Sequence, residues 1–124
     1  MPMHESGQMY LEAIYVLSRK KEKIRAIDVG AYLGYSKPSV SRAVGLLKKS
    51  EHISVDSDGY ITMTPTGEEV AAKLYERHTV LTNMLMALGV EEETAAEDAC
   101  RIEHVISPEA VDAMRRSLKE KMGY

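Results

Sequence analysis

Apolar residues at Met9, Leu11, Ile14, Tyr15 and Leu17 recur at helical spacing, which predicts an amphipathic first helix over residues 6–19. The charged run from Arg19 to Lys23 is its exit. A second, short helix is predicted over Ala26–Leu33, stopped by Gly34 in the position where helices take a left-handed residue. Ser36 then stands as an N-cap, Lys37 or Pro38 opens a third helix, and Val40, Val44 and Leu47 form its buried stripe until about residue 50. A short helix, a glycine turn and a second helix make a helix-turn-helix, whose second helix enters the DNA major groove.

The period then changes from helical to alternating. His52-Ile53-Ser54-Val55 and Tyr60-Ile61-Thr62-Met63 flank Asp56-Ser57-Asp58-Gly59, so a β-hairpin is expected, packed on the helices as a wing. Helical spacing resumes from residue 65 to 88 behind the cap-like Thr64, with Gly89 as its stop. A further helix is expected over residues 91–104, and Ser107-Pro108-Glu109 opens a last one that ends near residue 121. The fold class is therefore mainly α with a small β-hairpin. An N-terminal winged helix-turn-helix DNA-binding domain (1–64) is expected to precede a C-terminal helical metal-binding and dimerisation domain (65–124).

Composition narrows the class. With 124 residues and 44% hydrophobic content but no Trp or Phe, the core must come from Leu, Ile, Val, Ala and Met. A single cysteine forms no intrachain disulfide, and neither a signal segment nor a membrane span is evident, so a cytoplasmic protein is expected. The net charge of −3 hides an asymmetry: residues 1–50 hold nine basic side chains against four acidic, and the remainder seven against fifteen. The first part suits a phosphate backbone, the second a cation or another subunit. No nucleophile motif, phosphate-binding glycine loop or HExxH pair is present, so the chain reads as a non-enzyme.

Two constellations carry chemistry. In the first turns of the recognition helix, Ser36, Lys37, Pro38, Ser39, Ser41 and Arg42 are placed to reach bases and phosphates. Arg42 suits a bidentate bond to guanine O6 and N7, and Lys48 and Lys49 extend the phosphate track. The second is Cys100-Arg101-Ile102-Glu103-His104, where a thiol, a carboxylate and an imidazole at i, i+3 and i+4 would share one helix face and converge on a transition-metal ion.

Gln8-Met9-Tyr10-Leu11-Glu12-Ala13-Ile14-Tyr15, the Ser36-Lys37-Pro38-Ser39-Val40-Ser41 turn, Tyr75-Glu76-Arg77-His78 and the segment from Ala99 to Ser107 resemble, in this order, the iron-dependent repressor family of the diphtheria toxin repressor type. That resemblance implies a divalent ion held between the first helix and the later helices. By position, Met9, Cys100, Glu103 and His104 match the primary site of the iron-sensing branch, which implies Fe²⁺, with Mn²⁺ as the other physiological ion and Co²⁺ or Ni²⁺ as substitutes in vitro.

The match departs from the iron branch at the ancillary site. His78 fits, but Thr82 stands for a Glu and Ala96 for a His, whereas Glu12 matches the manganese-sensing branch. A second ion on Glu12, His78 and a bridging Glu103 is thus a further expectation. The chain stops at Tyr124 with no SH3-like domain, as the two-domain manganese branch does, while Met9 and Cys100 tilt the expectation towards iron.

The implied function is a metal-dependent DNA-binding transcriptional regulator, a repressor, that senses Fe²⁺ or Mn²⁺ and controls metal-homeostasis genes. It would act as a homodimer on a palindromic operator in double-stranded DNA, with metal selecting the DNA-competent state. The dimer face is expected along Val105, Ile106, Val111, Met114 and Leu118. The alternative class is a redox-sensing winged-helix transcription factor using Cys100.

Overall fold

The computed structural model describes residues 5–122, with side chains from Ser6 to Lys121. Its elements run α1 (Glu5–Lys20), α2 (Ala26–Leu33), α3 (Lys37–Lys49), β1 (Ile53–Val55), β2 (Ile61–Met63), α4 (Pro65–Ala87), α5 (Glu92–Ile102) and α6 (Pro108–Met122). The chain divides into two compact units at Ala72/Lys73, inside α4.

In the first unit each predicted boundary has a visible cause. Arg19 and Lys20 close α1, where cations favour the negative end of the helix dipole. At the start of α2 the Arg25 backbone N–H donates to Asp28 Oδ2 at 2.8 Å; Arg25 has no side-chain acceptor to return the bond, so only the acidic half of a capping box forms. Gly34, at φ 73°, ends α2 by donating its N–H to Gly30 O at 2.8 Å. Ser36 then caps α3 by accepting the Ser39 N–H at 3.4 Å, with Pro38 in the first turn where its missing N–H costs nothing.

β1 and β2 pair antiparallel with Ile53 opposite Met63 and Val55 opposite Ile61. Asp56 Oδ1 accepts the N–H groups of Asp58 and Tyr60, each at 2.9 Å, which folds the connecting turn on one carboxylate. Ile61 also takes part in a one-residue bridge, its N–H donating to Ile24 O at 2.8 Å. This third strip of the wing sheet is too short to leave an alternating signal in sequence. Leu11, Ile14, Ile24, Val29, Val40 and Ile53 form the buried centre of the unit.

The second unit has a smaller core of Val80, Val111 and Leu118, with Met84, Ile106 and Met114 packed against it. Two expectations are corrected here. The helix expected over residues 91–104 stops at Ile102, because Glu103 is its C-cap and the Val105 and Ile106 N–H groups both turn back to Ile102 O. The apolar face expected to be free for dimerisation is partly spent inside the chain: Val111 and Leu118 are buried, Ile106 and Met114 are half-buried, and Val105 is exposed. Among the described residues no helix is long and apolar enough to cross a membrane.

Candidate metal centre and nucleic-acid interface

α3 buries Val40, Val44 and Leu47, and that stripe leaves Ser36, Lys37, Pro38, Ser39, Ser41, Arg42, Lys48 and Lys49 exposed around the rest of its surface. Ser36 is partly committed: besides capping the helix, its hydroxyl donates to Ser39 Oγ at 3.0 Å. The wing adds cations that sequence reasoning passed over. Arg25 lies over the Tyr60 ring with 4.3 Å to its centroid, and Lys23 over the same ring at 5.1 Å. Their signal was only the basic run after α1, which reads equally well as a solvated exit.

The chemistry of the second unit centres on Glu103. Its side chain is fully buried, at 0% exposure. His78 Nδ1 lies 3.0 Å from Glu103 Oε2, and His104 Nε2 lies 3.4 Å from Glu103 Oε1. Arg77, the residue before His78 on α4, donates from its guanidinium to the Glu103 carbonyl at 3.3 Å. Consecutive α4 residues therefore hold the backbone and the carboxylate of the same residue.

A buried carboxylate carries a large desolvation cost unless positive charge and hydrogen bonds offset it. Two imidazoles supply only part of that, and Glu103 Oε1 accepts no hydrogen bond among the described residues. A carboxylate with an unsatisfied oxygen between two imidazoles is a donor set that fits a divalent cation. With the proton on Nδ1, His78 donates to Glu103 and keeps its Nε2 lone pair for an ion, the arrangement by which neighbouring carboxylates orient metal-binding histidines.

Cys100 sits on α5 and is exposed. The regular helix ends at Ile102, Glu103 keeps a helical backbone as its C-cap with its N–H donating to Ala99 O at 2.9 Å, and His104 follows in a turn. Among the described residues, Cys100 does not join Glu103 and His104 in a convergent group of three Cys, His or carboxylate donors. Thr82 donates its hydroxyl to His78 O at 2.7 Å, a bond back into its own helix. In the first unit, Met9 and Glu12 lie three residues apart on α1, both half-buried. Met9 Sδ accepts a hydrogen bond from the Tyr35 hydroxyl at 3.1 Å.

Residues 3–66 match the family description "Iron dependent repressor, N-terminal DNA binding domain", and residues 64–121 match "Iron dependent repressor, metal binding and dimerisation domain". The chain belongs to the iron-dependent repressor family. Relatives of this family include the transcriptional regulator MntR of Escherichia coli O6:H1, 36% identical over 106 residues that cover 86% of this chain and 68% of that protein. The HTH-type transcriptional regulator MntR of Geobacillus thermodenitrificans is 33% identical over 107 residues, 86% of this chain and 76% of that one. The structure of the manganese regulator SloR superposes with a TM-score of 0.81 at 28% identity, covering 96% of this chain. The chain spans only 55% of the SloR chain.

Within the iron-dependent repressor family, Glu103 lies in the part matched to metal binding and dimerisation, and the exposed face of α3 lies in the part matched to DNA binding.

Proposed function

We propose that this protein is a divalent-metal-dependent DNA-binding repressor that works as a homodimer and regulates metal homeostasis. Residues 1–64 would read a palindromic operator and residues 65–124 would bind metal and dimerise. The observation that carries the proposal is the buried Glu103 carboxylate, held by His78 and flanked by His104, in a chain whose family description assigns metal binding to that part. His78, Glu103 and His104 would hold the ion, and the residue-by-residue match adds Glu12 and Met9 from α1. The ion supplies positive charge to Glu103, and it shifts DNA affinity only through stronger binding to the DNA-competent state.

Mn²⁺ is the ion we favour. Buried nitrogen and oxygen donors suit a hard cation, the Cys100 thiol is exposed, the Met9 sulfur already accepts the Tyr35 hydroxyl, and SloR is named a manganese regulator. Fe²⁺ is the second reading, favoured by the two sulfur donors that match the iron-sensing branch at positions 9 and 100. Co²⁺ and Ni²⁺ would serve as substitutes in vitro.

Anaerobic equilibrium dialysis against Mn²⁺ and Fe²⁺ separates these readings. His104→Ala is expected to lose affinity for both ions by about tenfold or more. Cys100→Ser should leave Mn²⁺ binding unchanged; a large loss of Fe²⁺ affinity in that variant, with tighter Fe²⁺ than Mn²⁺ binding in the parent chain, would favour the iron reading. Full affinity in His104→Ala would remove the metal-sensor proposal.

A further inference from the structure

Glycine is among the least favourable residues inside a helix, so a helical glycine needs a reason, and for Gly30 and Gly67 the reason lies within the first unit. A Cβ on Gly30 would lie 3.4 Å from Val40 Cγ2, where α2 packs on α3, and one on Gly67 would strike the His52 backbone. Gly45 is different. It stands in the interior of α3 with an ordinary helical φ, and a Cβ built on it would meet no atom of the described residues within 4 Å. Neither backbone geometry nor packing among those residues accounts for the missing side chain.

Its position on the helix says what would meet it. Val40, Val44 and Leu47 turn one side of α3 into the core, and Arg42 and Lys49, two turns apart, mark the opposite line of the helix. Gly45 is exposed between those two cations, just beside their line, in the part of the chain matched to DNA binding. Leu46, 62% exposed, stands on the other side of the same line. The outward face of α3 thus carries a cation at each end and, between them, a gap and an apolar side chain.

We propose that Gly45 is the point of closest approach between α3 and DNA, a specificity-determining position that acts by having no side chain. Arg42 and Lys49 engage the DNA on either side, the helix backbone between them seats against the groove, and the same approach takes Leu46 out of water. Phosphate contacts form on any duplex, whereas a seat this close forms only on sequences whose base edges and groove shape admit it. The inference rests on the reading of DNA by α3 and deepens it.

The test compares Gly45→Ala with the parent chain, both full length and with Mn²⁺. Affinity is measured for a duplex that the parent chain selects from a randomised pool and for an unrelated duplex, and stability by urea unfolding. Alanine favours the helix and has room in the free protein, so the urea midpoint is expected to rise by roughly 0.5 M. Affinity for the selected duplex is expected to fall about tenfold, the scale of one overpacked methyl, while the unrelated duplex binds as before. The dependence of affinity on salt is expected to keep its slope, since no phosphate contact is removed. A gain in stability paired with a loss of recognition is an outcome that a merely structural glycine does not produce. Undiminished affinity for the selected duplex, an equal loss on both duplexes, or a midpoint below that of the parent overturns the proposal while leaving DNA reading by α3 intact. A parent chain that selects no duplex overturns both.

Discussion

Glu103 shows how much one residue depends on its neighbours. His78 meets its carboxylate and Arg77 its carbonyl, so α4 fixes both the charge and the backbone at the end of α5. Arg77→Ala is expected to weaken Mn²⁺ binding roughly tenfold, as loss of a ligand-orienting contact does, with Arg77→Lys retaining part of the affinity in the same chelator competition. Glu103 and His104 were legible from their spacing to Cys100, but the geometry that makes them useful was not. The helix end at Ile102 comes from a turn with no glycine to announce it, and Arg77 carries no sequence signal that separates it from a solvated arginine.

Asp28 gives a second residue-scale prediction. The Arg25 backbone N–H, and then the Lys21 ammonium at 3.0 Å, hold its carboxyl below the usual carboxylate range. A depressed carboxylate stabilises the folded chain above its ordinary pKa, and that contribution is lost as pH falls through the lowered value. Asp28→Asn should therefore cost about 0.5 kcal/mol at neutral pH, consistent with a solvent-facing charge at a helix start, and nothing once acid has protonated the parent carboxylate. Thermal unfolding of both proteins across the acid range measures the difference.

Among the elements, the wing and α4 are locked by a close approach at Gly67. A Cβ there would lie 1.9 Å from His52 O, and the Gly67 N–H donates to Thr64 Oγ1 at 3.0 Å while the Thr64 N–H donates to His52 O. Gly67→Ala should destabilise the protein by about 3 kcal/mol, at the upper end for overpacking, because the obstructing atoms are backbone and cannot rotate away. A lower urea midpoint with an unchanged slope is the expected reading. Helices α2 and α3 were legible because Gly34, Ser36 and Pro38 are punctuation with a local mechanism. The role of Gly67 was not, since its constraint comes from the backbone of His52, just before β1 and distant in the chain.

At the scale of the whole molecule, the sequence separates two electrostatic tasks. The part matched to DNA binding carries the basic excess and the exposed cations of α3 and the wing, whereas the part matched to metal binding is acidic and contains the buried Glu103. That division was visible in the order of charges alone. What surface remains for a second copy was not, because burial of Val111 and Leu118 inside the chain follows from helix packing that periodicity does not specify. The central claim is that metal held by Glu103 and His104 controls sequence-specific DNA binding. It is tested most directly by selecting duplexes from a randomised DNA pool with Mn²⁺ or with chelator present, using the parent chain and His104→Ala. The account predicts palindromic sequences enriched by the parent chain with Mn²⁺ only; the same enrichment under chelator, or by His104→Ala, would contradict it.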